Sequence, residues 1–201
     1  MATTPLNMSD KRTYIVHPYK FNLWLFLLTV IMVFGGLTSA YIVARAAVPA
    51  AERIYFELPS ILWVNLAVVL VSSVTMQLSV RAARQDKRKE ALGLLTLTTV
   101  LGLIFLWGQL EAFSNMVDRG YYMVNGQVQD QSVAFFYVFV GLHGAHMIGA
   151  VSALVFANVK TWLNAFKPGN RVLTYEVTAI FWHFLGLLWV YLFVFLLYTQ
   201  S

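Results

Sequence analysis

The sequence has 201 residues, of which 59% are hydrophobic and 11% are charged. Soluble globular domains carry about 45–50% apolar and about 25% charged residues, so the composition excludes an ordinary soluble domain and indicates an integral membrane protein. The absence of cysteine excludes disulfides, thiolate metal sites and iron–sulfur clusters.

The chain begins with a polar segment, residues 1–20, that contains proline and lacks a short apolar core followed by a small-residue cleavage site. We therefore expect a cytoplasmic segment followed by a retained first helix. Five apolar blocks follow, each long enough for the roughly 20 helical residues that cross a bilayer. They are apolar on all faces, which favours helices over the alternating strands of a barrel. The prediction is one all-α domain, residues 1–201, with transmembrane helices over 23–44, 58–80, 92–113, 133–155 and 177–198.

The net charge of +5 is distributed unevenly along the chain. Eleven lysines and arginines fall in segments that the five-helix topology places on one side of the membrane, and three fall on the other. The positive-inside rule then puts the amino terminus in the cytoplasm and the carboxyl terminus outside. Nucleic acid is not an expected partner, because the basic cluster at 81–89 has no aromatic residues between its bases. The three bases on the outer side are Arg45, Arg53 and Arg119.

The connector over 121–128 contains Asn125-Gly126 between two short β-prone runs, which predicts a small hairpin. Within the helices, small residues at intervals of about four positions predict grooves for close helix packing, since lipid provides no hydrophobic drive between helices. The predicted packing residues are Gly35 and Gly36 in the first helix and Gly141, Ala145, Gly149 and Ala153 in the fourth.

Ionisable residues within the predicted spans are few, and such residues are candidates for function because a charge in hydrocarbon is costly. They are Glu111, His143, His146, Glu176 and His183. We expect these five residues to form a buried polar cluster, in which the three histidines and Glu111 are hydrogen-bonded between helices. A bis-His haem site and a proton relay are alternatives. A transporter would need a broken helix around a polar cavity, and no predicted span contains an internal proline. No catalytic, cofactor-binding or metal site is expected in this chain.

An ordered set of residues runs through the second to fifth predicted helices. The set begins with Leu58-Pro59, Asn65, Ser72-Ser73, Thr75, Leu101-Gly102, Phe105-Leu106, Gln109 and Glu111. It continues with Gly141-Leu142-His143-Gly144-Ala145-His146, Trp182-His183-Phe184, Trp189, Leu192-Phe193 and Tyr198. In this order the residues resemble the third subunit of haem–copper oxidases, and the resemblance runs from about Phe21 onward.

The resemblance implies a five-helix, accessory subunit III of a cytochrome c oxidase or quinol oxidase in a bacterial cytoplasmic (inner) membrane. Haem and copper would belong to partner subunits. The expected partners are the catalytic subunit I, subunit II and a small subunit IV, together with phospholipid between helices. Stabilisation of the catalytic subunit and support of its proton uptake and catalytic lifetime are also implied. Candidate residues for subunit or lipid contact are Trp24, Asn65, Ser72, Gln109, Trp182 and Trp189.

Two positions depart from the pattern of that family. Val30 stands where members commonly carry a glutamate, and Gly186 stands where they often carry an aspartate. Roles tied to those two acids are therefore not carried over. The lipid cleft that seven-helix members form with two additional helices must here be either lost or completed by another subunit.

Overall fold

The computed structural model describes residues 18–49, 59–121, 131–166 and 170–200. These residues form five long α-helices and, within the described ranges, no strand. Each helix is long and apolar enough to cross a membrane, so the prediction of an all-α membrane bundle is confirmed. The predicted hairpin at Asn125-Gly126 lies outside the described residues. The helices are α1 Pro18–Ala46, α2 Ile61–Arg84, α3 Arg88–Asp118, α4 Gln131–Trp162 and α5 Asn170–Gln200.

Four of the observed helices extend beyond both predicted ends, and α2 is displaced along the chain instead. With 24 to 32 residues, the helices are about 36–48 Å long, whereas the hydrocarbon core is about 30 Å thick. Hydropathy detects only the part of each helix that lies in the hydrocarbon core, so it does not predict the polar ends of the helices. The predicted start of α2 at residue 58 is wrong, because Pro59 and Ser60 form a preceding turn whose carbonyls accept from the amides of Leu62 and Trp63.

Helices α2 and α3 form a tight hairpin through the connector 85–87. The chain reverses at Asp86, which has a φ of 60°, a left-handed conformation that aspartate tolerates better than most residues. The Lys87 amide then donates to the carbonyl of Ala82, which closes the end of α2. This turn accounts for the extensive packing of α2 against α3.

Contacts between helix ends show that the five helices alternate in direction. Glu176 at the start of α5 binds Lys20 at the start of α1 and Arg84 at the end of α2. The guanidinium of Arg88 at the start of α3 donates to the carbonyl of Thr161 at the end of α4. These elements therefore share one end of the bundle, here called the basic end, and the opposite end is called the far end. The described residues place eight lysines and arginines at the basic end, against Arg45 and Arg119 at the far end.

Helices α2, α3, α4 and α5 enclose the core, and α1 lies outside against α4 and α5. Aromatic side chains form the contact of α1 with α4 and α5. Tyr41 of α1 is buried and packs edge to face on Phe139 of α4, 6.2 Å between ring centroids, and on Phe195 of α5 at 5.5 Å. Such pairs are stabilising beyond the area they bury.

The predicted small-residue grooves do not carry the packing within this chain. Ala145, Gly149, Gly35 and Gly36 are exposed, and a β-carbon added to any of these three glycines would meet nothing within 4 Å. Gly141 and Ala153 are only partly buried, and a β-carbon added to Gly141 would lie 3.9 Å from the ring of Phe113, an ordinary van der Waals contact. The prediction is wrong for contacts inside the bundle, because bulky aromatic residues rather than glycines line the seam between α1 and its neighbours.

Helices approach closely at other glycines. A β-carbon on Gly102 of α3 would lie 2.7 Å from the Trp182 ring of α5, and one on Gly108 would lie 2.1 Å from Oδ1 of Asn65 in α2. These two positions let α3 pack tightly against α2 and α5. Neither lies in the four-residue pattern that predicted the grooves.

Candidate functional site

A series of polar contacts joins the helices inside the bundle near the basic end. The hydroxyl of Ser79 donates to the carbonyl of Ala91, and the hydroxyls of Thr75 and Thr98 lie 2.8 Å apart. All of these groups are shielded from solvent, so each hydrogen bond satisfies a group that would otherwise be costly to bury. They fix α2 to α3 over two turns.

Trp182 of α5 extends this series towards the far end. Its indole N–H donates to the hydroxyl of Ser72 in α2 over 3.1 Å, and both residues are 1% exposed. Ser72 itself donates to the carbonyl of Val69. The pair therefore holds α5 against α2 beside the close approach at Gly102.

Four further polar residues lie in the core towards the far end, one on each of α2 to α5. Asn65, Gln109, His143 and Trp189, here called the polar cluster, are between 0% and 3% exposed. His143 stacks on Trp189 with ring centroids 5.1 Å apart, and Phe105 packs edge to face on both rings. The core therefore carries most of its amide and imidazole groups at this level.

Glu176 is the centre of an ion-pair network at the basic end. Its carboxylate lies 2.6 Å from Nζ of Lys20 and accepts two hydrogen bonds from the Arg84 guanidinium, at 2.9 and 3.1 Å. Arg171, one turn earlier on α5, pairs with Asp86 of the α2–α3 connector. The network joins α1, α2 and α5, and its residues would have been found by searching for opposite charges at the ends of predicted helices.

The predicted hydrogen-bonded cluster of three histidines and Glu111 is not formed by the described residues. His143 has no hydrogen-bond partner among them, and His146 bonds through Nδ1 to the carbonyl of Leu142 one turn earlier on its own helix. His183 is partly buried and lies six residues before Trp189, which separates it from the level of His143 by about 9 Å along α5. The spacing in sequence placed these rings at similar depth but did not reveal which way each one faces.

His146 instead contributes to the seam between α1 and α4. Its ring lies 6.1 Å from Phe26 and 6.0 Å from Phe34 between centroids. The partly exposed imidazole thus serves as an aromatic packing partner for α1.

Glu111 is exposed at the far end and does not approach the histidines. Its carboxylate accepts from the Asn115 amide at 3.2 Å. Together with Ser60 and Arg119 it lines a cavity of about 330 Å³ between the start of α2 and the end of α3. Glu111 and Glu176 therefore lie at opposite ends of the bundle, which excludes the predicted grouping of the five ionisable residues.

The predicted subunit or lipid contacts are mostly wrong for this chain. Trp24 is 59% exposed and can contact a partner or lipid, but the other five side chains are buried. Their polar groups explain the difference, since amide, hydroxyl and indole N–H groups are costly in lipid and are stable inside the bundle. The five are Asn65, Ser72, Gln109, Trp182 and Trp189.

Within the described residues, no group of three or more histidine, aspartate or glutamate side chains is placed to hold a metal ion. A haem on His143 would require moving Trp189 and Phe105, which pack against its ring. The geometry of this region suits helix packing and hydrogen bonding better than ligation.

A cavity of about 560 Å³ opens at the basic end between α1, α4 and α5. Its wall towards the membrane interior is apolar, with Ala153, Phe156 and Val177 among the lining residues. Lys160 stands at its polar end with Nζ 4.5 Å from the centre of the Phe156 ring. Sequence analysis missed this site, although a lysine one turn from an aromatic residue at a helix end is a signal for the membrane interface.

The sequence matches the family described as cytochrome c oxidase subunit III over residues 6–201. It is also similar to individual members of that group. It is 28% identical over 176 residues to cytochrome bo(3) ubiquinol oxidase subunit 3 of Pseudomonas aeruginosa, which covers 86% of this chain and 81% of that protein.

Two further relatives differ in the electron donor that their names indicate. A probable quinol oxidase subunit 3 of Staphylococcus haemolyticus is 28% identical over 193 residues, 93% of this chain and 92% of that protein. A probable cytochrome c oxidase subunit 3 of Mycobacterium bovis is 30% identical over 173 residues, 81% of this chain and 79% of that protein.

Proposed function

The chain belongs to the cytochrome c oxidase subunit III family, and we propose that it acts as an accessory subunit of a respiratory haem–copper terminal oxidase. The single observation that carries this proposal is the family match, which spans residues 6–201 and all five helices. The reduction of oxygen is a reaction of the whole complex. In this proposal, haem and copper are held by the partner subunits, and this chain has no redox centre of its own.

We propose that the partners are the catalytic subunit I, subunit II and a small subunit IV. The exposed faces of α1 and α3 carry large apolar residues such as Trp24, Met32, Trp107 and Leu110. Contact with another transmembrane subunit or with lipid tails suits such surfaces equally well, since both are apolar. The proposed location is a bacterial cytoplasmic (inner) membrane, with the basic end in the cytoplasm because of the positive-inside rule.

The electron donor of the complex is either quinol or cytochrome c. Relatives with names of both kinds have similar identity to this chain. A quinol oxidase is thus the second candidate, and the distinction rests with the other subunits of the complex. Oxygen uptake by the purified complex with reduced cytochrome c or with a quinol as the reductant distinguishes the two.

Phospholipid binding is a further part of the proposed role, and the cavity at the basic end supports it. Its apolar wall suits an acyl chain, and the Lys160 ammonium is placed to bind a lipid phosphate. Asn170 and Thr174 add polar groups to the same cavity. Lys160 forms none of the ion pairs seen in the described residues, so its charge is available for a phosphate.

Substitution of Lys160 tests this lipid site. Lys160→Met keeps an apolar stem against Phe156 and removes the charge, so we expect the purified oxidase to retain less anionic phospholipid when its lipids are measured by mass spectrometry. Lys89→Met, on an exposed residue of the same end, is the matched control. Equal lipid retention by the two variants would show that Lys160 does not bind lipid phosphate.

We also propose that the subunit supports proton uptake by the catalytic subunit. The support for this role comes from the family membership. No buried carboxylate of α1 takes part, because Val30 occupies the relevant position and is 2% exposed. Proton uptake measured with a pH indicator in complexes with and without this chain tests the role, and equal uptake rates would contradict it.

Co-purification is the experiment that tests the assignment to the oxidase. When a tagged form of the chain is isolated from membranes in mild detergent, we expect haem- and copper-containing subunits in constant ratio to it, together with oxygen-reducing activity. Isolation of the chain alone, or with partners that carry neither haem nor copper, would overturn the proposal.

A further inference from the structure

Within the part of the chain that the structure describes, six buried side-chain polar atoms lack a hydrogen-bond partner, and all six belong to the polar cluster. They are Nδ2 of Asn65, Nε2 and Oε1 of Gln109, Nδ1 and Nε2 of His143, and Nε1 of Trp189. The burial of a polar group without a hydrogen bond is costly. Six such atoms in one half of one core indicate a shared cause.

The four side chains occupy one region of the core. The rings of His143 and Trp189 stack, and Phe105 contacts both. Gln109 follows Phe105 by four residues on α3, which places the two residues on one face about 6 Å apart along the axis. Asn65 packs directly on Gly108, the neighbour of Gln109. All four helices of the core therefore contribute a polar group to the half of the core nearer the far end.

A balance of donors and acceptors shows that these side chains cannot satisfy one another. The two amide nitrogens and the indole nitrogen act only as donors, and a neutral histidine adds one more donor nitrogen. The acceptors among the six atoms are Oε1 of Gln109 and the second ring nitrogen of His143. Since four donor atoms face two acceptor atoms, a change of side-chain rotamers would still leave donors without partners. A ligand that supplies acceptors would satisfy the donors that the four side chains leave without a partner.

Water is the ligand that fits this requirement. A water molecule accepts two hydrogen bonds and donates two, and buried waters typically bond to about three otherwise unsatisfied groups. An anion would also accept, but it would carry a charge into the bundle opposite side chains that are neutral, and a buried charge without a counter-charge is far more costly. We propose that Asn65, Gln109, His143 and Trp189 form a binding site for ordered water in the core of the bundle.

The rest of the core indicates that water binds at one specific site and does not hydrate the whole core. Closer to the basic end, the buried Ser72, Thr75, Ser79 and Thr98 form direct bonds to the protein. Bound water at the polar cluster joins α2, α3, α4 and α5 by hydrogen bonds that the side chains do not form directly. Water at this site thus links the helices towards the far end, as the hydroxyl groups link them near the basic end.

A density map of the complete oxidase, at a resolution that shows ordered water, tests the proposal. We expect density for water within about 2.7–3.2 Å of the His143 and Gln109 polar atoms. A map in which these side chains bond only to protein atoms, or in which the region between them holds no density, would overturn it. The wild-type complex suffices for this test, so it does not depend on whether a variant assembles.

Bromide distinguishes water from a bound anion. In crystals of the complex grown with bromide in place of chloride, a water site gives no anomalous signal at the cluster. An anomalous peak there would contradict the assignment to water and identify an anion site.

A pair of variants links the density to these residues. Gln109→Met keeps a long side chain while removing one acceptor and the amide donors, and we expect loss of the water density beside it. Ser79→Ala, a buried polar substitution in the same core near the basic end, is the control and leaves that density unchanged. Unaltered water in Gln109→Met would remove Gln109 from the site and contradict the proposal as stated.

Discussion

Individual glycines act in this bundle where a large neighbour leaves no space for a β-carbon. Gly102 faces the six-membered ring of Trp182, which is buried and held by its bond to Ser72. A ring that is fixed in this way cannot move aside easily. By contrast, Gly93 on the same helix has nothing within 4 Å of an added β-carbon.

We predict that Gly102→Ala destabilises the subunit by about 1–3 kcal/mol, since overpacking forces buried side chains out of their preferred positions. Gly93→Ala is the matched control, and its expected effect is neutral or a gain of up to about 1 kcal/mol from helix propensity. The measurement is the thermal unfolding midpoint of each purified variant in detergent. A midpoint for Gly102→Ala equal to that of Gly93→Ala would contradict the close packing at Trp182.

Whole helices are fixed at the basic end by charges located where the helices begin and end. Glu176, in the second turn of α5, binds the cations of Lys20 at the start of α1 and Arg84 at the end of α2. The Arg88 guanidinium does the converse at the end of α4, where it binds the carbonyls of Thr161 and Trp162. Since α1 lies outside the four-helix core, its bond from Lys20 to Glu176 is an important attachment.

We predict that Glu176→Gln loosens α1 and lowers the stability of the subunit by about 1–3 kcal/mol, because Lys20 and Arg84 lose a charged partner. Glu90→Gln serves as the control, since Glu90 is exposed and pairs only with Lys87 three residues before it. An exposed pair of this kind contributes about 0–1 kcal/mol. Limited proteolysis at the start of α1 and thermal unfolding provide the readouts. Equal effects of the two substitutions would show that the Glu176 network does not hold α1.

The number and order of the helices could be predicted from the sequence, because a span of about 20 apolar residues has few alternatives in a bilayer. Which face of each helix is buried could not be predicted. Each helix is apolar on nearly every side, so hydropathy does not separate core residues such as Phe105 from lipid-facing ones such as Trp107. For the same reason, the burial of Asn65 and Trp189 required knowledge of the neighbouring helices.

The candidate site, too, could be predicted only in part from the sequence. Sequence singled out His143 as an ionisable residue in an apolar span and named Gln109 and Trp189 as candidates for subunit or lipid contact. The structure buries all three and stacks His143 on Trp189. Sequence also suggested a common cluster of His143 with Glu111 and Glu176, which the structure excludes because these acids lie at opposite ends. Depth along a helix follows from residue number, whereas the direction of a side chain depends on how helices pack.

At the scale of the whole molecule, the charge asymmetry predicts one orientation in the membrane. The chain lacks cysteine, so single cysteines can be introduced without interference. We predict that Asp118→Cys, at the far end of α3, reacts with a membrane-impermeant thiol reagent in intact cells. Lys89→Cys, at the basic end of the same helix, is expected to react only after permeabilisation. The reverse pattern would contradict the proposed cytoplasmic location of the basic end.

We propose that this chain is an accessory subunit whose complex performs the redox chemistry, and the direct test compares the oxidase purified with and without it. Haem and copper are quantified per catalytic subunit, and oxygen consumption is followed over time. We predict unchanged haem and copper and an initial turnover that then declines faster when the chain is missing. A loss of haem or copper in proportion to the missing chain, or a haem absorption band in the isolated chain, would contradict the central claim.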